Sequence, residues 1–161
     1  MRRECQASIV VEAPATEVWD VVSDVTRVGE WSGECRRCEW VGGAAGLAPG
    51  ARFRGTNRRG MMRWARLNEV DVVEAPHELV WHTVFTGLRR DSTEWRVGLR
   101  PTPEGTEVTE SFRIVRLSRA MERFFELVQP AHRDRSQDLA DDLARLKSVV
   151  EAQGGSSETG P

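Results

Sequence analysis

The chain has 161 residues, 39% of them hydrophobic and 30% charged, the size and balance of one globular domain around a single core. Its 23 basic and 25 acidic side chains leave a formal charge of -2, which excludes the broad basic field by which proteins gather nucleic acid or anionic membrane. No stretch approaches the ~20 apolar residues of a spanning helix, and Met1-Arg2-Arg3-Glu4 does not open a signal peptide; a cytoplasmic protein without a transmembrane segment is expected.

In chain order, Ala7 to Glu12 alternates and reads as a strand. Ala13-Pro14-Ala15-Thr16 then leads into Glu17-Val18-Trp19-Asp20-Val21-Val22, a short amphipathic helix with Thr16 as a candidate N-cap, ending near Asp24. A second short helix or turn, Thr26 to Ser32, carries Trp31. Cys35-Arg-Arg-Cys38 opens the next strand. Residues three apart on a regular strand point to opposite faces, so the two thiols are not expected to meet. Zinc needs four ligands and no second pair with suitable spacing exists, so the cysteines read as structural and no metal or cofactor is expected.

Gly42-Gly43, Gly46 and Pro49-Gly50 separate two strands. From Arg52 to Val115 strands follow one another, with turns at Arg59-Gly60, Ala75-Pro76-His77, Thr86-Gly87 and Pro101 to Gly105, the spacing of an antiparallel meander. In Ser92 to Arg100, Thr93, Trp95, Val97 and Leu99 alternate with Glu94, Arg96 and Arg100, one face buried and one wet. The next strand alternates likewise, and its pattern places Glu110 on the buried face with Val108, Phe112 and Ile114.

A last helix is read from a cap at Ser118 to about Glu151. Its stripe runs through Met121, Phe125, Val128, His132, Arg135, Leu139, Leu143, Leu146 and Val150, spaced by three or four, with a kink expected at Pro130. The reading is one domain over residues 1–152 and a disordered tail over 153–161.

Other chemical patterns are weak. His77-Glu78-Leu79-Val80-Trp81-His82 misses the zinc-protease spacing by one residue and reads as strand. There is no G-x-S-x-G nucleophile elbow. Gly42 to Gly50 lacks the lysine and helix of a phosphate loop, and Arg52, Arg54, Arg58, Arg59 and Arg63 read as a solvated basic hairpin.

Val11-Glu12-Ala13-Pro14-Ala15-Thr16-Glu17-Val18-Trp19, with Ser23-Asp24 and Glu30-Trp31, resembles the opening of the START-like SRPBCC superfamily in its polyketide cyclase/dehydrase branch. Glu74 to Trp81, Glu104 to Thr109 and Asp142 to Lys147 are similar to later pieces of that pattern. The resemblance implies an α+β helix-grip fold: a seven-stranded antiparallel sheet wrapped round a long C-terminal helix, two short helices after the first strand, and a cavity between sheet and helix. It does not imply one activity. In the cyclase branch it implies an arginine near Asn68, a histidine near Glu110 and an aspartate near Asp138; only Asp138 matches.

Alternation then gives a lining for the cavity. Trp64, Arg66, Asn68 and Val70 share one face; Trp81, Thr83 and Phe85 are chosen for the next strand, with His82 inward if the register slips by one. Trp95, Val97, Glu110 and Phe112 follow, then Met121, Phe124, Val128 and His132 from the helix, with Asp138 nearby and Trp31 from the second short helix. For each aromatic, plain core is the competing reading. Glu110 is expected to be neutral, or paired with Arg66 or a histidine. Glu110, Asp138 and His132 are the acid–base candidates. A small hydrophobic partner of lipid, polyketide or isoprenoid type is expected, bound or carried by a monomer or homodimer, without nucleic acid; cyclase or dehydrase chemistry and a partner-binding module are the alternatives.

Overall fold

The computed structural model describes residues 3–84, 91–119, 122, 123, 127 and 135–157. Strand β1 (Glu4–Val11) leads to helix α1 (Ala15–Val22), a 3-10 turn (Val25–Arg27) and the one-turn helix α2 (Val28–Trp31). Strands β2 (Cys35–Val41), β3 (Arg52–Arg59), β4 (Met62–Glu74), β5 (Glu78–Thr83), β6 (Ser92–Thr102) and β7 (Gly105–Arg116) follow, then helix α3 (Ser136–Ser157). All neighbours pair antiparallel in the order β1-β7-β6-β5-β4-β3-β2. The first strand therefore closes onto the last, and β1 and β2 form opposite edges although only the short helices separate them in sequence.

Local chemistry accounts for the boundaries. α1 begins at Ala15 behind Pro14, whose carbonyl accepts the amides of Glu17 (3.0 Å) and Val18 (3.2 Å). Thr16 lies inside the helix and does not cap it, because proline already fixes an extended entry. The Asp24 carboxylate caps the 3-10 turn by accepting the Thr26 amide at 3.0 Å. Gly60, at φ +59°, turns β3 into β4, a conformation that costs glycine little.

Leu139, Leu143, Leu146 and Val150 of α3 are each at most 2% exposed. The helix packs against β1, α2 and the inner face of β7, with Leu143, Leu146 and Val150 joining Val11, Val18, Val22, Trp31, Val97, Leu99 and Val108 in one core cluster. A second cluster, Val25, Cys35, Cys38, Phe53, Val70 and Leu79, fills the β2 end of the sheet. α3 continues through Gly154 and Gly155 to Ser157, past the point where composition suggests a tail. Burial of Val150 and the bond from the Glu12 amide to Glu151 Oε1 (2.9 Å) hold its last turns, against a cost of about 1 kcal/mol per helical glycine. The outer sheet face carries cross-strand ion pairs, Arg52–Glu69, Arg96–Glu78, Arg100–Glu107 and Arg113–Glu94. Phe85, Met121, Phe124, Phe125, Val128, Pro130 and His132, with the readings made on them, lie outside the described residues.

Candidate site: a pocket between the sheet and the helices

α3 covers the β1–β7 end of the sheet, and the inner faces of β4, β5 and β6 extend beyond it. A pocket of about 450 Å³ occupies that space. Its aromatic wall follows from register. Trp81, Trp95 and Phe112 are direct partners across β5, β6 and β7, so their rings form a continuous row. Trp81 and Trp95 stack with centroids 6.3 Å apart and planes 9° apart; Trp95 and Phe112 lie at 5.4 Å. Phe53 of β3 continues the row, edge-on to Trp81 at 6.4 Å and to Trp40 at 5.9 Å. Such offset and edge-to-face pairs suit the ring quadrupoles.

Of the residues singled out from sequence, Trp31, Trp64, Arg66, Asn68, Trp81, Thr83, Trp95, Glu110 and Phe112 all border this pocket. His82 points outward, its Nδ1 2.8 Å from the Asp71 carboxylate. Val97 does not border the pocket. It is 2% exposed and shares the core cluster of Val18 and Leu143, where α1 packs against β6. Asp138 also stands outside the wall, paired with Arg59 at 3.1 Å and lying 3.7 Å from Arg135 Nε.

The polar groups sit at defined points on the apolar wall. Glu110 is 3% exposed, and its Oε2 has no hydrogen-bond partner. Burial pushes its pKa up to about 8; the nearby Asp142 adds to the rise and Arg135 offsets part of it. Glu110 is thus a neutral acid around pH 7, able to donate one hydrogen bond or, once ionised, to accept a proton. The Asp142 carboxyl is itself raised by burial, against the opposing pull of the Gly33 amide (2.8 Å) and Arg145. Glu110 is not paired with Arg66: that guanidinium forms a largely buried ion pair with Asp91. Ser92 Oγ donates to the Thr83 carbonyl at 2.9 Å, and the buried Asn68 amide reaches the Arg66 carbonyl at 3.4 Å.

Several lining residues were not singled out as site residues. Arg135 enters the wall with its guanidinium 5.4 Å from the Trp95 ring centroid and 5.6 Å from that of Phe112, while paired with Glu34. A cation over two aromatic faces is held by their quadrupoles. The signal for it was an arginine inside an otherwise apolar helical stripe. Asp91, Asp142 and Phe53 gave no such signal, because their partners come from distant segments. Cys35 and Cys38 also border the pocket, side by side. Among the described residues no three His, Cys, Asp or Glu side chains cluster as a metal site would need.

The family model described as polyketide cyclase / dehydrase and lipid transport matches residues 2–151. The chain belongs to this family. Similar solved structures include TTHA0849 of Thermus thermophilus (TM-score 0.71, 18% identical, 93% of this chain and 98% of that one). NE0264 of Nitrosomonas europaea (TM-score 0.68, 13% identical, 94% and 96%) shares the fold as well. So does the polyketide-cyclase-like protein Cgl2372 of Corynebacterium glutamicum (TM-score 0.58, 25% identical, 98% and 97%). No curated protein matches the chain significantly. At these identities the likeness is one of fold, the helix-grip arrangement of seven antiparallel strands and a long C-terminal helix, and the family's name covers both catalysis and transport. No helix among the described residues is long and apolar enough to cross a membrane.

Proposed function

We propose that this family member binds and carries a small, mainly apolar molecule with a hydrogen-bond acceptor, seated against the Trp81–Trp95–Phe112 row with the acceptor at Glu110. The observation that carries this reading is a fully buried carboxyl whose Oε2 lacks a hydrogen-bond partner, facing an aromatic-lined pocket of about 450 Å³. A buried polar group without a partner costs about 1 to 3 kcal/mol, which a ligand acceptor would recover. Burying ~300 Å² of apolar ligand surface contributes about 7 kcal/mol at ~25 cal/mol per Å². Association costs about 4 to 15 kcal/mol, so the polar contact decides whether binding is useful. The lipid, polyketide and isoprenoid classes all meet this description.

The raised pKa of Glu110 favours one second reading, acid–base chemistry on the bound molecule. The cyclase pattern's arginine and histidine are replaced at Asn68 and Glu110, so carriage is the simpler function. Native mass spectrometry of the purified protein, followed by displacement of the co-purified molecule with an anilinonaphthalene dye, tests carriage. A small molecule released stoichiometrically supports it; an empty protein that binds neither dye nor extracted lipids overturns it. Conversion of that molecule by the wild type and not by Glu110→Gln would establish the catalytic reading instead.

A further inference from the structure

On a regular strand Cys35 and Cys38 would face opposite sides of the sheet. Here the pairing of β2 with β3 shifts by one residue between Cys35 and Arg37. The extra residue resets the alternation, as a bulge does, and both side chains turn inward. Their sulfurs are 3.3 Å apart, and both border the pocket while only 9% and 4% of each residue is exposed. Gly55, the strand partner of Cys38, lies against both: a Cβ there would stand in ordinary contact, 3.5 Å from one sulfur and 3.6 Å from the other. The third cysteine is remote from this pair, its sulfur 3.1 Å from Ser136 Oγ.

We infer that Cys35 and Cys38 form a dithiol that reduces one equivalent of a hydroperoxide entering the pocket and becomes a disulfide. The inference rests on the proposed function only in using the same pocket as entrance. The two thiols are not equivalent. Contact with Cys38 is the largest effect on Cys35 and lowers its pKa against the opposing effect of burial, with a backbone hydrogen bond at Arg37 adding to the fall, while Cys35 and burial raise that of Cys38. Cys35 is therefore the attacking sulfur.

Its thiolate takes the terminal oxygen of R–O–O–H. The O–O bond breaks, Cys35 becomes a sulfenic acid, and the alkoxide leaves as R–OH with the proton that Cys35 gave up. The Cys38 sulfur then attacks the Cys35 sulfur; the S–S bond forms, the S–O bond breaks, and the hydroxide departs as water with the Cys38 proton. Two thiols lose two electrons and the peroxide gains two.

The test treats the reduced full-length protein with one equivalent of cumene hydroperoxide or of hydrogen peroxide, then alkylates and maps the peptides. The expected result is an intramolecular Cys35–Cys38 link formed at least about tenfold faster than oxidation of Cys5, reversed by dithiothreitol. In Cys38→Ser, dimedone should trap a sulfenic acid at Cys35; in Cys35→Ser, Cys38 should stay reduced. The faster of the two peroxides identifies the source, an apolar organic peroxide or hydrogen peroxide. First oxidation at Cys5, a link between chains, or equal trapping at both positions overturns the inference. The wild-type peptide map decides even if a serine variant fails to fold, and it does not depend on any carried ligand.

Discussion

Trp81 and Trp95 face each other across β5 and β6 with nearly parallel rings, centroids 6.3 Å apart. Trp95 also touches Phe112 and lies beneath the Arg135 guanidinium, so one side chain joins the aromatic wall to its cation. It faces a pocket and is only partly buried. Trp95→Ala should therefore cost about 1 to 2 kcal/mol, below the ~3 to 5 kcal/mol of a filled core site. Affinity for an anilinonaphthalene dye should fall about tenfold through loss of the stacking surface. Urea titration and dye fluorescence on the same sample check both; a core-sized stability loss with unchanged dye affinity per folded molecule would contradict the wall assignment.

Glu110 sets a pH dependence. Its folded pKa of about 8 lies above the ordinary value of 4.5, so between those values the folded chain holds a proton that the unfolded chain has released. Stability should then fall as pH rises through this window and level off above about 8, with a limiting loss of about 5 kcal/mol. Asp142, raised by burial, acts in the same direction, while Arg135 opposes it. Glu110→Gln should remove most of the slope. Urea midpoints compared at about pH 5 and about pH 8 measure it; equal slopes in wild type and variant would show that Glu110 does not titrate in this window.

Asp91 occupies the Arg66 guanidinium at the pocket wall, with about one-sixth of each side chain exposed (14% and 17%). Asp91→Asn should release that cation towards the pocket. Competition for dye should then improve for a fatty acid by about tenfold relative to the alcohol of the same length. Stability should fall by about 1 to 3 kcal/mol, since the pair is largely buried. No change in the acid-to-alcohol ratio would mean that Arg66 does not reach the ligand.

Gly105 begins β7 at φ +140°, and a Cβ there would stand 2.1 Å from the Val11 carbonyl oxygen. Both the conformation and the contact exclude a side chain. Gly105→Ala should cost about 3 kcal/mol or more by displacing β1 from β7. Thermal unfolding of the variant checks this, and a loss below about 1 kcal/mol would show that the edge yields easily.

The alternation of Thr93, Trp95, Val97 and Leu99, and of Val108, Glu110 and Phe112, made the inner face of the last two strands legible, because the side-chain period of a strand is two residues. The same rule failed at Cys35 and Cys38, since one bulged residue reverses the alternation without leaving a mark in composition. It also overreached at Val97, which is inward but covered by α1.

By itself the sequence determined the inner faces of the last two strands, the turns at Arg59-Gly60, Ala75 to His77 and Pro101 to Gly105, the order of the described elements and the burial of Glu110, all properties of neighbouring residues along the chain. Only the tertiary structure decided that Arg66 pairs with Asp91, that Arg135 lies over Trp95 and Phe112, that Asp142 stands near Glu110 and that two cysteines touch. Those outcomes depend on strand register, one bulge and the docking of α3. These are global packing solutions, in which segments distant along the chain compete for the same partners.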